Sequence, residues 1–272
     1  MSGRFDGRVC LVTGSTGIAA AAARALSADG ANVFVVSRNT DHASALATEI
    51  GARWYAAELT QEESVESAVA AVVGAFGRLD CVYNVAGISG RRLGDGPVHE
   101  MTLDGWSETI ANNATSQFLV TRAAIRQMLS QEPAANGQKG AILNMSSSLA
   151  RHPERRFFAT HAYAASKGAI ESFSRAAAAY YAPLGIRVNV IAPALVATPM
   201  SERAQSDPQI MAYVAQRQPL AGGALTPDDL VGAALFLLSD DARMITGQVL
   251  DVDAGWSVSD GPAGELRGEA GG

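Results

Sequence analysis

The chain has 272 residues, 48% hydrophobic and 18% charged, which is enough for one large α/β core and excludes disorder for most of its length. The formal net charge of −6 gives no general attraction to nucleic acid or an anionic membrane, and no apolar run reaches the ~18–20 residues that span a bilayer. The N-terminal MSGRFDGRVC lacks the apolar stretch of a secretory signal. With only Cys10 and Cys81, both in strand-like runs, we expect buried free thiols, a cytoplasmic location and neither nucleic-acid nor membrane partners.

Seven apolar runs with strand character alternate with longer segments of helical spacing. In chain order the runs are RVCLVT, NVFVVS, RWYAAE, LDCVYNVAG, GAILNMSS, IRVNVIAP and QVLDVD. Helical segments such as AAAARALSADG and QEESVESAVAAVVGAF lie between them. This alternation predicts an α/β fold of βαβ units, and the continuously apolar strands predict a parallel sheet of about seven strands covered by helices on both faces. No linker divides the chain, so we predict one domain over 1–258 and a flexible tail, SDGPAGELRGEAGG, over 259–272.

A glycine turn, TGSTGI, follows the first strand and opens the first predicted helix. A turn of this kind lets backbone N–H groups and a helix N-terminus approach a pyrophosphate. Small residues in a tight turn can also be purely structural, so the turn alone is a weak indication of binding. The candidate cofactor-binding residues in the turn are Gly14, Ser15, Thr16, Gly17 and Ile18.

Three later stretches carry side chains suited to chemistry. The stretch YAASK places Tyr163 and Lys167 four residues apart, on one face of a helix, where a solvated surface pair is the alternative interpretation. Two strand ends carry small or polar residues, namely Ser146, Ser147 and Ser148 in ILNMSSSLA, and Asn84, Ala86 and Gly87 in LDCVYNVAG.

From about residue 8 to about residue 257 the chain resembles the short-chain dehydrogenases/reductases. The motifs that carry the resemblance are NVAG, W-x-x-T-I-A-N-N, LNMSS, YAASK, IRVNVIAPALVATPM and ITGQVLDVDAG, in that order. The resemblance implies a doubly wound Rossmann fold and an oxidoreductase that transfers a hydride between a nicotinamide cofactor and a small alcohol or ketone substrate.

The resemblance also gives the glycine turn a register. In the family the turn reads T-G, three residues, G, one residue, G. Leu26 and Gly30 lie nine and thirteen residues after Gly17, offsets that match the family when Gly17 is the second glycine. The chain then lacks one residue between Gly14 and Gly17, and Ala19 replaces the third glycine, whose usual role is close helix–strand packing. We interpret the turn as cofactor-binding but altered.

The family mechanism assigns roles to the YAASK and LNMSS residues. Tyr163 is the acid/base, and the ammonium of Lys167 is expected to lower the pKa of Tyr163 from its ordinary value of about 10 and to hold the nicotinamide ribose. Ser147, three residues after the strand asparagine, would hydrogen-bond the reacting oxygen. Ser146 and Ser148 remain alternatives, because the 16-residue gap from Ser147 to Tyr163 is about three residues longer than usual for the family.

The resemblance implies further positions. Asn113, seven residues after Trp106, matches the asparagine of a water-linked proton relay, although a helix asparagine that bonds backbone is the alternative. After the sixth strand, Pro193, Val196 and Thr198 match positions next to the nicotinamide carboxamide, while Ala194 replaces a usual glycine.

The segment over about 199–222 corresponds to a substrate lid. Its apolar and arginine residues indicate an apolar pocket with a charged rim, or equally an amphipathic surface helix. The ERR of the long loop before Tyr163 could meet an anionic substrate or be a solvated charge cluster. The GDG run over 94–96 predicts a mobile loop near the site.

The end of the second strand, VVSRN, decides the expected cofactor. A carboxylate there would bind the ribose hydroxyls of NAD and repel a 2′-phosphate. Ser37 is uncharged, and the guanidinium of Arg38 can grip a phosphate, so NADP(H) is favoured. NAD(H) stays possible if Arg38 merely stacks on the adenine.

Other expectations concern metals, assembly and activity. The chain's four histidines, His42, His99, His152 and His161, lack paired ligand spacing, so we expect no metal. The family resemblance implies a homotetramer formed through helices over about 103–130 and 159–182. A cofactor-binding regulator with little activity is the alternative to an enzyme, whereas the Tyr–Lys spacing of YAASK does not fit enoyl reduction.

Overall fold

A single parallel sheet organises the chain, and its strand order is β3-β2-β1-β4-β5-β6-β7 in the computed structural model, which describes residues 3–259. The strands are β1 (Val9–Thr13), β2 (Asn32–Ser37), β3 (Arg53–Ala56), β4 (Cys81–Asn84), β5 (Gly140–Met145), β6 (Ile186–Pro193) and β7 (Val249–Val252). All seven lie within the predicted apolar runs. The prediction of a doubly wound Rossmann fold is therefore confirmed.

Helices cover both faces of the sheet. They are α1 (Gly17–Ala28), α2 (Thr40–Ile50), α3 (Glu62–Phe76), α4 (Leu103–Ile110), α5 (Ser116–Ser130), α6 (His161–Tyr181), α7 (Glu202–Gln205), α8 (Pro208–Arg217) and α9 (Val231–Leu238). A π-helical turn, Ala111–Thr115, joins α4 to α5, so the predicted helix over 103–130 is continuous but locally widened.

Alternate residues of the central strands enter two different cores. Val12 on β1 packs in a cluster with residues of α1, α2 and α9, whereas Leu11 packs in a second cluster with residues of α3, α5 and α6. Since both faces are buried, the central strands are mostly apolar at successive positions. The edge strand β3 is different: Trp54 and Tyr55 are 38% and 37% exposed, and within residues 3–259 no further strand lies beside them.

Cys10 and Cys81 are register partners on β1 and β4, and both are buried free thiols, as predicted. Of the tail predicted over 259–272, residues 260–272 lie outside the described part of the chain. No helix between residues 3 and 259 combines the length and apolar character needed to cross a membrane.

Candidate active site

The altered glycine turn folds tightly at the carboxyl end of β1. Gly14 and Gly17 have φ of 98° and 52°, in the left-handed region that favours glycine. A Cβ at Gly14 would lie 3.1 Å from Cβ of Ala19, which is 1% exposed, so the alanine methyl fills the space next to the shortened turn. Thr16 precedes α1 without capping it through its side chain, while Ile18 packs against the core. The first amides of α1 thus remain available to an anion.

The end of β4 reaches the glycine turn from the neighbouring strand. The amide of Ala86 donates to Thr13 Oγ1 at 3.1 Å, which ties this end to β1. The Asn84 side chain is fully buried and donates to Asn144 Oδ1 at 2.8 Å and to Thr121. It therefore links β4 to β5, so any cofactor contact from Asn84 would come from its backbone.

Gly87 and Asn113 approach each other closely. A Cβ at Gly87 would lie 2.6 Å from Asn113 Oδ1 and 3.7 Å from Lys167 Nζ, so only glycine fits there. The Asn113 side chain accepts from the amide of Ile88 at 2.8 Å and donates to the carbonyl of Ile88 at 3.0 Å. Asn113 thus bonds backbone, as in the alternative interpretation of this helix asparagine. These two bonds hold the segment after β4 that carries Gly87.

Of the three serines after β5, Ser147 is the one next to Tyr163. Burial raises the pKa of Tyr163, and a hydrogen bond with the Ser147 hydroxyl opposes that rise. The Ser146 hydroxyl has a different partner, because it donates to Glu171 Oε1 at 2.9 Å. Ser148 is 1% exposed and begins a short 3-10 helix. The local geometry favours the predicted Ser147.

Lys167 and Tyr163 share a face of α6, with Lys167 Nζ 5.5 Å from the centroid of the Tyr163 ring. The ammonium donates to the carbonyl of Met145 at 2.9 Å, and burial lowers the pKa of Lys167 to about 7. Burial raises the pKa of Tyr163, with Ser147 as the opposing influence. The expected lowering of the Tyr163 pKa by Lys167 is therefore corrected, because desolvation of the phenolate outweighs any attraction to an amine whose own charge is disfavoured.

Asp95, which sequence reasoning placed in a mobile loop, is 6% exposed and holds the start of α6. Its carboxylate accepts from the amides of Ala162 at 2.9 Å and Tyr163 at 2.8 Å. The GDG run is thus an anchored element, and the correction has a physical reason: a carboxylate satisfies helix amides that have no partner within the helix. The only available signal was an acidic residue between glycines.

The segment after β6 contacts both the glycine turn and Ser147. A Cβ at Gly17 would lie 2.9 Å from the Thr198 methyl, and the Ser147 hydroxyl lies 3.5 Å from the carbonyl of Pro193. Val196 forms an isolated bridge with Leu225. Beyond them, in the predicted lid, Ala204 of α7 and Ile210 and Val214 of α8 are buried in one cluster with Trp256.

The end of β2 carries an ion pair of which the sequence predicted one member, Arg38, as a cofactor-binding residue. Ser15 donates to Ser37 at 3.0 Å, which joins the glycine turn to this strand end. Arg38 is exposed and forms an ion pair with Glu58, Nη1 to Oε2 at 3.1 Å. Glu58 follows β3 and was not predicted; the sequence shows an acidic residue after this strand, and the pairing of β3 with β2 brings it to Arg38.

These residues lie together at the carboxyl ends of the central strands. The uncapped start of α1, the glycine turn, Gly87 and Thr198 adjoin one another at the carboxyl ends of β1, β4 and β6, which is where α/β sheets bind such ligands. No group of three His, Cys, Asp or Glu residues between residues 3 and 259 could hold a metal ion. The fold and the position of the glycine turn are those of the Rossmann class of dinucleotide-binding proteins.

Comparison with known proteins gives the family. A family model described as enoyl-(acyl carrier protein) reductase matches residues 12–257. D-threitol dehydrogenase of Mycolicibacterium smegmatis is 36% identical, over 94% of this chain and 95% of that protein. A short-chain type dehydrogenase/reductase from Mycobacterium ulcerans superposes with a TM-score of 0.85 at 30% identity, over 95% of this chain and 93% of its own.

A further solved structure, 3-ketoacyl-(acyl-carrier-protein) reductase from Brucella melitensis complexed with NADH, gives a TM-score of 0.81 at 32% identity, over 93% of this chain and 99% of its own. The chain belongs to the short-chain dehydrogenase/reductase family, as predicted. It is an oxidoreductase of a family that acts on alcohol and carbonyl groups with nicotinamide cofactors.

Proposed function

We propose that the protein interconverts a small alcohol and the corresponding ketone with NADP(H), using Tyr163 as the acid/base. The proposal rests on one observation: Ser147, Tyr163 and Lys167 lie together beside Gly87. They are at the carboxyl ends of the central strands, where the glycine turn also lies. When bound, the nicotinamide supplies or accepts the hydride.

Different residues at these strand ends would contact the pyrophosphate, the ribose and the nicotinamide of the dinucleotide. The pyrophosphate would lie on the turn from Gly14 to Ile18, against the amides of α1. Ala86 and Gly87 would present backbone to the ribose and nicotinamide side, together with Pro193, Val196 and Thr198. Lys167 would hold the nicotinamide ribose. Its Nζ lies beside Gly87, at 3.7 Å from where a Cβ would be, and the backbone of Gly87 would face the same part of the cofactor.

The proton would move at the oxygen of Tyr163. In oxidation the phenolate takes the proton of the substrate hydroxyl, and in reduction the phenol gives a proton to the developing alkoxide. Ser147 would hydrogen-bond the same substrate oxygen and stabilise its charge. Asn113 would take part in the relay only through its backbone, since its side chain is engaged with Ile88.

Cofactor preference depends on the β2 end. Ser37 brings no negative charge, and the exposed Arg38 could turn toward a 2′-phosphate by leaving its ion pair with Glu58, which supports NADP(H). Glu58 competes for the same guanidinium. NAD(H) would remain usable because neither hydroxyl at Ser15 and Ser37 repels a ribose.

Assembly and location are parts of the same proposal. The exposed aromatic side chains of Phe118 on α5 and Tyr180 on α6 support a homotetramer built through these helices. The segment 199–222 would cover the substrate, because α8 rests on Trp256 next to the long loop before Tyr163. Two buried free thiols support a cytoplasmic location.

The proposal is tested by fluorescence titration with NADPH and NADH, followed by a screen of ketones and alcohols. We expect micromolar or tighter binding and turnover in at least one substrate class. Binding of cofactor without turnover across the screen would instead support the alternative function, a cofactor-binding regulator. The shortened Gly14–Gly17 turn is the feature that favours this alternative.

A further inference from the structure

Two arginines from different segments converge on one backbone carbonyl next to the proposed active site. Arg91 Nη2 donates to the carbonyl of Phe157 at 2.8 Å, and Arg203 Nη2 donates to the same oxygen at 3.1 Å. Arg91 follows β4 after Gly87, Phe157 lies between Ser147 and Tyr163, and Arg203 lies in α7 after Thr198. The three segments are therefore the ones that follow three neighbouring strand ends of the site.

Both guanidinium groups share a neutral carbonyl as acceptor, and within residues 3–259 neither forms an ion pair with a carboxylate. The nearby carboxylates are engaged with backbone: Asp95 caps α6, and Glu154 accepts from the amides of residues 156–158 at 2.6 to 3.2 Å. Burial and the charge of Arg203 both lower the pKa of Arg91, with Asp95 as the weaker opposing influence. The protein carries a net charge of −6, so this concentration of positive charge is local.

The two guanidinium groups are close enough to share one anion. Because both bond a single oxygen, their terminal nitrogens lie within about 6 Å of each other, a span that a carboxylate can bridge with charge-assisted hydrogen bonds. The adjoining surface is apolar, since Phe157 packs on Tyr213 at 5.4 Å between ring centroids and clusters with Leu149 and Ala194.

We propose that Arg91 and Arg203 bind a carboxylate on the substrate, so that the enzyme acts on hydroxy acids and keto acids with an apolar body. The inference rests on the proposed oxidoreductase function and narrows its substrate class. The carboxylate displaces the Phe157 carbonyl as the shared acceptor, while the reacting oxygen faces Ser147 and Tyr163.

Binding tests the site without any need for turnover. Keto acids such as 3-oxobutanoate and 4-oxocyclohexanecarboxylate, their alkyl esters, and phosphate monoesters of hydroxyketones are titrated calorimetrically with NADP⁺ or NAD⁺ present. A ketone with an oxidised cofactor cannot react, so the complex is stable. We expect at least one keto acid to bind about ten- to a hundredfold more tightly than its ester, the range for charged hydrogen bonds.

Variants separate the site from general charge effects. Arg91→Ala and Arg203→Ala should each weaken the acid about ten- to a hundredfold and leave the ester unchanged, whereas Arg92→Ala, in the same short helix and exposed, should alter neither. Arg203 is exposed, so its variant tests the site without disturbing a buried element. Equal affinity for acid and ester, or equal losses for both, would overturn the carboxylate site, and a preference for phosphate monoesters would reassign it.

Failure of the proposed reaction would look different. If keto acids bind in an arginine-dependent way but no ketone or alcohol turns over with either cofactor, the anion site stands and the oxidoreductase proposal fails. If only neutral ketones and esters bind and turn over, the reaction stands and the anion site fails.

Discussion

The carboxylate of Asp95 accepts a hydrogen bond of 2.8 Å from the backbone amide of Tyr163, and its other oxygen accepts from Ala162 at 2.9 Å. A residue 68 positions earlier in the chain thereby fixes the first turn of the helix that carries Tyr163 and Lys167. The negative charge also lies at the positive end of the helix dipole, which stabilises it. Asp95 is thus a positioning residue that acts through Tyr163.

Asp95→Asn should lower both stability and turnover. The asparagine offers one acceptor, and its amide group faces a backbone N–H, so we expect a loss of about 0.5–2 kcal/mol of unfolding free energy, the range for helix caps. We expect kcat to fall while the Kd of the cofactor stays near its parent value.

The matched control for this variant is Asp229→Asn. Asp229 holds the backbone and hydroxyl of Thr226 at 2.7 and 2.8 Å at another helix start. It should cost similar stability in a urea titration but leave kcat unchanged. A normal kcat in Asp95→Asn at full folding would show that Asp95 is only a structural cap.

Tyr163→Phe should abolish the proton transfer while keeping the ring. We expect turnover to fall by at least ~10²-fold, the lower range for acid–base catalysis, with little change in cofactor affinity. Steady-state kinetics and a fluorescence titration of the variant check both parts. Near-normal turnover would contradict the assignment of Tyr163.

Lys167→Met should change how stability depends on pH. The pKa of Lys167 is about 7 in the folded protein against 10.5 as the ordinary value, so between these values the unfolded chain binds more protons. The lysine's contribution to the free energy of unfolding therefore rises with pH across this window and is lost as pH falls through about 7. Urea denaturation of both proteins at about pH 6 to 9 should show the parent gaining on the variant by a few kcal/mol at most, since one pKa unit is about 1.4 kcal/mol. Parallel curves would show that burial does not shift this pKa.

Arg38 and Glu58 should have opposite effects on cofactor choice. Arg38→Ala should weaken NADPH about ten- to a hundredfold and NADH much less, because only NADPH carries the 2′-phosphate. Glu58→Gln removes the carboxylate that binds Arg38 at 3.1 Å, so it should strengthen NADPH relative to NADH. The test is a pair of dissociation constants for each protein; a parent that prefers NADH, or an Arg38→Ala variant that weakens both cofactors equally, would refute the NADP(H) assignment.

Phe118→Asp should disrupt the proposed tetramer. The Phe118 ring is 38% exposed and packs edge-to-face on Phe173 at 5.8 Å, so it extends an aromatic surface from α5 to α6. A charge there would be buried in an interface between subunits at high cost. Light scattering should show a parent tetramer and smaller species for the variant, with Leu220→Asp, at an 89% exposed position in the lid segment, as a control for surface charge. A monomeric parent at micromolar concentration would contradict the assembly.

The order of residues was enough to predict the sheet, the helices and the position of Tyr163 and Lys167 on one face of a helix. Strand periodicity and continuous apolar runs are local properties, because a strand buried on both faces is mostly apolar at successive positions. The spacing of Tyr163 and Lys167 is equally local, since four residues make about one helical turn. These features needed no knowledge of which segments meet.

The contacts between distant segments became known from the folded structure alone. The sequence predicted Asp95 in a mobile loop, whereas its carboxylate accepts from the start of α6. The sequence showed no partner for Arg38, whereas Glu58, after β3, forms an ion pair with it. The pKa of Tyr163 depends on burial among several segments, which reversed the direction expected from its lysine neighbour. Hydrogen bonds, ion pairs and desolvation depend on distances between atoms far apart in the chain, and the order of residues along the chain does not specify those distances.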